Sequence, residues 1–191
     1  MTTEPTTREP IRVLGISGSL RKGSFNTALL RAAIELAPPG MTITRADIHE
    51  IPPYDEDVRA RGLPEPVQRF REAIAAADAV LFVTPEYNYS VPGVLKNAID
   101  WASRPPSQPL ADKPVSIMGA SGGGSGTMRA QYHLRQTAVF LDMHVMNKPE
   151  VFVRTASEKF DAEGKLVDEA LRKLVREHLE ALGAWTRRLK K

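Results

Sequence analysis

The side chains best placed to do chemistry lie in residues 11–26, I-R-V-L-G-I-S-G-S-L-R-K-G-S-F-N. Ser17, Ser19, Ser24 and Asn26 bring hydroxyl and amide donors within a few residues of each other, and Arg21 brings a fixed positive charge. Gly18 and Gly23 let the backbone turn tightly and approach a ligand. Together with the amides of a helix start, such a set reads as an anion cradle. A phosphate held there gains about 1.5–3 kcal/mol for each charge-assisted hydrogen bond, before ordering costs. The plainer alternative is a strand-to-helix turn whose serines only cap the helix from Phe25 onward. The stretch lacks the Gly-Lys-Ser/Thr of a Walker loop and the G-x-G-x-x-G of a dinucleotide turn, which argues against ATP and against a Rossmann dinucleotide.

Two more stretches carry unusual chemistry. Pro85-Glu86-Tyr87-Asn88-Tyr89-Ser90-Val91-Pro92 is stiffened by a proline at each end, and it can present main-chain groups and ring faces to a planar heteroaromatic ligand. Its alternative is a rigid turn with Tyr87 and Tyr89 packed on the fold. The third stretch, Gly119-Ala-Ser121-Gly-Gly123, satisfies G-x-S-x-G, with Asp142, Asp161, Asp168 and His178 downstream in the order of a serine hydrolase. A nucleophile elbow enters its helix at once, whereas Gly124, Ser125 and Gly126 prolong this loop. His178 falls on the apolar face of a helical pattern, where a packed histidine is expected.

These loops need elements to hold them. Ile11, Val13, Leu14 and Ile16 read as a strand buried on both faces. A helix from Asn26 to Ala37 follows, stopped by Pro38-Pro39-Gly40. Met41 to Ile48 alternates and suits a strand nearer the sheet edge. A long loop from His49 to Pro64 leads to a helix marked by Val67, Phe70, Ile74 and Ala77. Asp78 to Thr84 is the most apolar strand signal and belongs at the sheet centre. A helix through Leu95 and Ala98 ends near Arg104, Lys113 to Ala120 is the next strand, and a helix spans about Thr127 to Phe140. Met143 to Val153 holds the last strand signal, split by Pro149, and Val167 to Trp185 gives a closing amphipathic helix.

Strand and helix thus alternate about five times, which predicts an α/β fold: a flavodoxin-like open parallel five-stranded sheet in the order 2-1-3-4-5, with helices on both faces. Ligands of such sheets sit beyond the strand C-termini, where strands 1 and 3 part. The loops there are 17–26 and 84–92. A phosphate cradle beside a flat hydrogen-bonding wall fits FMN better than a dinucleotide, because no ribose-binding acid follows the first loop at the expected spacing.

Composition narrows the rest. The 191 residues, 42 % hydrophobic, suffice for one core, so residues 1–10 read as a disordered lead-in and 11–191 as one domain. No cysteine is present, which removes disulfides and thiolate metal sites. His49, His133, His144 and His178 are scattered without a helix-spaced pair, so no metal is expected. The first ten residues lack an apolar core, and the longest apolar stretch, Ala73 to Val83, is broken by Asp78; the expected location is the cytoplasm, with no membrane contact. The net charge of +3 is spread along the chain, and the cluster Arg187, Arg188, Lys190 and Lys191 reads as a solvated helix end, not a nucleic-acid patch.

At this point the sequence resembles the NADPH-dependent FMN reductase family, and in particular its bacterial quinone, azo-dye and chromate reductase members. G-S-L-R-K-G-S-F-N at 18–26, T-P-E-Y-N-Y-S-V-P-G at 84–93 with L-K-N-A-I-D-W at 95–101, and R-A-Q-Y-H-L-R-Q at 129–136 carry the likeness, which runs from about Ile11 to Arg188. It implies FMN-phosphate contacts at Ser19, Arg21, Ser24 and Asn26, with Phe25 contributing backbone. It implies ring contacts in the Pro85 loop, at Glu86, Tyr87 and Asn88 through main chain, and at Ser121. It also implies a homodimer or homotetramer, with Arg129, Tyr132 and Glu150 as the polar set at the interface. The segment G-A-S-G-G-G-S-G-T at 119–127 departs from the family's commoner third loop.

Hydride chemistry in such a protein belongs to the flavin, so no catalytic side chain is assigned. The expected activity is ping-pong: NAD(P)H reduces FMN and leaves, and a small-molecule acceptor such as a quinone, azo dye, chromate or free flavin takes two electrons. No arginine that discriminates NADPH from NADH stands out in the sequence. Two alternatives remain at this stage, a non-catalytic flavodoxin-type electron carrier and a serine hydrolase using Ser121. Carriers usually present an acidic face, and this chain is net basic.

Overall fold

The computed structural model describes residues 9–190, so the tail expectation for residues 1–8 lies outside the described residues. The central strands form because their residues are apolar on both faces and can be buried from both sides. β1 (Ile11–Ser17), β3 (Ala79–Val83) and β4 (Pro114–Ala120) are almost wholly buried, whereas β2 (Met41–Ala46) alternates buried and exposed residues as an edge strand should. All pairings are parallel, and the order is β2-β1-β3-β4-β5.

The fifth position of the sheet is filled in two pieces. β5 (His144–Val145) pairs with the start of β4 and β6 (Val151–Val153) with its end. Between them Pro149 has no N–H to give to a ladder, so the chain leaves the sheet and returns.

Helices cover both faces. α1 (Phe25–Glu35) and α6 (Glu169–Leu189) pack on one, burying Leu29, Leu30, Val175, Leu179 and Leu182 against Val13, Leu81 and Val83. α3 (Glu65–Ala76), α4 (Gly93–Ala102) and α5 (Met128–Phe140) pack on the other, where Phe70, Ile74, Leu95, Trp101 and Leu134 meet Ile16, Phe82 and Ile117. The long loop after β2 contains one short helix, α2 (Glu56–Ala60), which the sequence pattern did not announce. Asn97 and Trp101 of α4 hold that loop by donating to Pro52 O, each at 2.8 Å. Val167 is a correction: it is exposed and precedes α6, whose cap is Asp168. Arg187 and Arg188 do fall in the last turn of α6, where cations complement the helix dipole.

Register decides which loops meet. Ser17 lies level with Val83, and Val83 with Met118, so the chains leaving β1, β3 and β4 emerge at the same end of the sheet. The bonds continue one step beyond the strands, Gly18 N to Val83 O at 2.9 Å and Thr84 N to Met118 O at 2.9 Å. Among the described residues no helix is long and apolar enough to cross a membrane.

Candidate active site

Nine of the ten ligand-binding residues named from the sequence line one cavity of about 260 Å³ at this end of the sheet; Asn88 is the exception. Its walls are Ser19, Arg21, Ser24, Phe25 and Asn26 after β1, residues 85–87 after β3, and Ala120, Ser121 and Gly122 at the end of β4.

The first wall is built by a tight turn running into α1. Ser24 N donates to Arg21 O at 3.1 Å, and Ser24 Oγ caps the helix by accepting from Asn26 N at 3.2 Å and Thr27 N at 3.3 Å. Ala28 N is satisfied by Ser24 O at 2.9 Å, so of the first four helix amides Phe25 N–H alone lacks a partner among the described residues. The capping alternative is therefore realised: Ser24 spends its oxygen on the helix and keeps its O–H to donate. Phe25 anchors the turn by stacking on Phe160 at 5.7 Å. Gly18 is favoured by close approach, since a Cβ there would lie 3.0 Å from Leu95 Cδ2 and 3.2 Å from Pro85 Cδ, so that these side chains would have to give way. Gly23 lies inside that turn but has no such neighbour and no left-handed backbone, so the turn does not itself demand a glycine there.

Asn26 does something the sequence did not reveal. Its Nδ2 donates to Ala120 O and its Oδ1 accepts from Ala120 N, both at 2.9 Å. The side chain thus ties the first wall to the third, and one amide hydrogen is left for a ligand.

The second wall turns at its tip. Tyr87 and Ser90 exchange backbone hydrogen bonds of 3.1 and 3.0 Å, and the central residues Asn88 and Tyr89 sit at φ 50° and 66°. Both central residues in the left-handed region is the pattern of a type I′ turn. Asn88 is tolerated there better than Tyr89, whose ring is held under the Arg129 guanidinium at 3.8 Å. The turn consumes Tyr87 N–H and C=O, which leaves Glu86 N–H and Asn88 N–H without partners among the described residues.

Glu86 points its carboxylate away from any ring contact and onto the start of α5. It accepts from Arg129 N at 3.0 Å and Ala130 N at 3.3 Å and pairs with the Arg129 guanidinium. Thr127 provides no side-chain cap, so Glu86 serves that function from another loop. Burial pushes the Glu86 carboxyl upward, but the Arg129 bond and the helix amides outweigh it and hold the pKa below its ordinary value. Arg129 is thus committed inside the chain, while Tyr132 Oη donates to Glu150 Oε1 at 3.0 Å on the surface. The three residues assigned to an interface divide into two separate contacts.

The hydrolase geometry is not assembled. Ser121 Oγ donates to Gly123 O at 3.2 Å, and α5 begins only at Met128. His178 is buried on α6, its Nδ1–H donating to Pro149 O at 2.8 Å, and burial lowers its pKa to about 4. Among the described residues no cluster of His, Cys, Asp or Glu could hold a metal ion.

Residues 11–158 match the family of NADPH-dependent FMN reductases. The chain belongs to that family. A NAD(P)H-dependent FMN reductase of Pseudomonas aeruginosa is 63 % identical over 95 % of this chain and 98 % of its own length. An NADPH:quinone oxidoreductase of Arabidopsis thaliana is 51 % identical over 94 % and 93 % of the respective chains. Among solved structures, the flavoenzyme NAD(P)H:(acceptor) oxidoreductase FerB from Paracoccus denitrificans superposes with a TM-score of 0.86 at 35 % identity, covering 93 % of this chain and 98 % of that one.

The cavity of this FMN reductase family member fits the flavin mononucleotide by its own chemistry. The Phe25 N–H, the hydroxyls of Ser19 and Ser24 and the Arg21 guanidinium match one phosphate monoester. The unpartnered Glu86 N–H suits a hydrogen-bonding edge of a flat ring.

Proposed function

We propose that this chain is an FMN-dependent NAD(P)H oxidoreductase that delivers two electrons to quinones or similar small acceptors. The observation that carries the reading is one cavity in which the free Phe25 N–H, the Ser19 and Ser24 hydroxyls and Arg21 at the α1 start face residues 85–87, whose Glu86 N–H is without a partner among the described residues. Ser19, Arg21, Ser24, Phe25 and Asn26 hold the phosphate end; Pro85, Glu86, Tyr87, Asn88 and Ser121 border the ring end. Bound FMN supplies the hydride chemistry, accepting from NAD(P)H and giving to the acceptor. The chain's own contribution is positional: Asn26 locks the Ala120 loop, Glu86 locks the 85–90 turn to α5, and the open third loop at Gly122–Gly124 leaves room for a substrate to approach.

The same reading places the protein in the cytoplasm as a homodimer or homotetramer. Val139 and Phe140 are 80 % and 84 % exposed at the end of α5, about two turns along the helix from Tyr132, and an apolar face of this kind suits a second copy.

The deciding experiment is to purify the chain, record its absorbance spectrum and identify any released cofactor by mass, then follow NAD(P)H oxidation with a quinone and no partner protein. A yellow protein that oxidises NAD(P)H supports the reductase. A yellow protein active only with a protein partner points to the electron carrier, and a colourless one that takes up no FMN overturns both.

A further inference from the structure

The third wall of the cavity runs into glycines that the fold does not itself demand. Residues 122–124 are Gly-Gly-Gly, and none of the three has a left-handed backbone, unlike Gly126 at φ 58°. A Cβ at Gly122 or Gly124 would meet nothing within 4 Å, and one at Gly123 would meet only Ser121 Oγ at 4.0 Å; one at Gly126 would strike Phe152 C at 2.6 Å. Neither turn geometry nor packing therefore accounts for the run, although glycine loses more backbone freedom on folding than any other residue. The segment is nonetheless tied down. Ser121 N donates to Val153 O at 3.0 Å, Ala156 N to Ser121 O at 3.0 Å and Thr155 N to Gly123 O at 3.4 Å, so the clearance is a held feature of the wall.

None of these bonds uses a glycine N–H, and the amides of Gly122, Gly123 and Gly124 have no partner among the described residues. Gly122 shares the cavity with Tyr87, which is half exposed and whose main-chain N–H and C=O are both used in the turn to Ser90. An aromatic residue on one wall and bare peptide planes with free amides on another suit a flat ligand that carries ring oxygens. We propose that the bare 122–124 segment selects the electron acceptor, giving clearance to a fused-ring quinone and N–H groups to its carbonyl oxygen. This deepens the oxidoreductase reading of the same cavity and rests on it.

The test compares 9,10-phenanthrenequinone, a flat fused-ring acceptor, with the smaller 1,4-benzoquinone in the wild type, Gly122→Ala and Gly122→Val. The backbone at Gly122 accepts a side chain without left-handed strain, so both variants fold, and each is saturated with FMN and its loading read from flavin absorbance. In Gly122→Val the ratio of kcat/KM for the large quinone over the small one should fall about ten-fold, the scale of an aliphatic group added to a fitted site, with Gly122→Ala in between. The ratio cancels the difference in potential between the two quinones. A second readout needs no turnover: phenanthrenequinone titrated into the oxidised protein without NAD(P)H should bind Gly122→Val about ten-fold more weakly. An unchanged ratio, an equal loss with both quinones or an unchanged affinity overturns the proposal. A yellow wild type that oxidises NAD(P)H while its variants show no such discrimination keeps the oxidoreductase reading and loses the selection alone. A wild type that takes up no FMN overturns both.

Discussion

Asn26 and Ala120 hold each other by two hydrogen bonds of 2.9 Å, one in each direction, across 94 residues of sequence. The pair closes a ring of contacts in which the loop after β1 positions the loop after β4. Replacing Asn26 with alanine leaves a buried N–H and C=O unpaired, each costing about 1–3 kcal/mol. The expected outcome is a lower unfolding midpoint in urea for the FMN-free protein and faster FMN release from the loaded one. An unchanged midpoint in the FMN-free protein would show that the clasp contributes nothing to the fold.

Arg21 bears on the cofactor rather than the fold, because it is exposed and its guanidinium lies 5.9 Å from the Phe25 ring with no carboxylate partner among the described residues. Arg21→Ala should weaken FMN binding by about ten- to a hundred-fold, the loss of one charge-assisted bond of about 1.5–3 kcal/mol. Equilibrium titration of the FMN-free protein by flavin fluorescence measures it. A variant that keeps its full yellow complement on dilution removes Arg21 from the phosphate site.

Tyr132 and Glu150 meet at the surface at 3.0 Å, and the Glu150 carboxylate raises the pKa of the Tyr132 hydroxyl. Substituting either by alanine should lower the mass measured by light scattering if the exposed face of α5 joins copies. Because Arg129 is occupied by Glu86 and Tyr89, Arg129→Ala is expected to act differently, loosening the start of α5 and the 85–90 turn. Scattering masses that stay the same in Tyr132→Ala and Glu150→Ala would take this pair out of any interface.

His178 makes stability depend on pH in a defined direction. Its pKa drops from 6.5 to about 4 on folding because burial disfavours the charged ring, so the unfolded chain binds the proton more readily. Stability from this group is complete above about pH 6.5 and is lost as the pH falls toward 4, by up to about 3 kcal/mol. Urea midpoints at pH 7 and pH 5 should differ in the wild type, and the difference should shrink in His178→Met. An equal drop in both proteins would assign the acid sensitivity elsewhere.

The strands and the cap of α1 were legible because they are written locally. A run such as Ala79–Val83, apolar at every position, can only be satisfied with cover on both faces, and Ser24 placed before α1 announces its cap wherever the helix ends up. Order along the chain then confines the sheet to few topologies, and the one expected is the one observed. The partnerships of Asn26 with Ala120, Glu86 with Arg129 and Asn97 with the loop after β2 were not legible, since each joins residues more than forty positions apart and exists only once β1, β3 and β4 end level. Residue types determined what each loop could bind, but only the register of the sheet decided which side chains remained free to bind it.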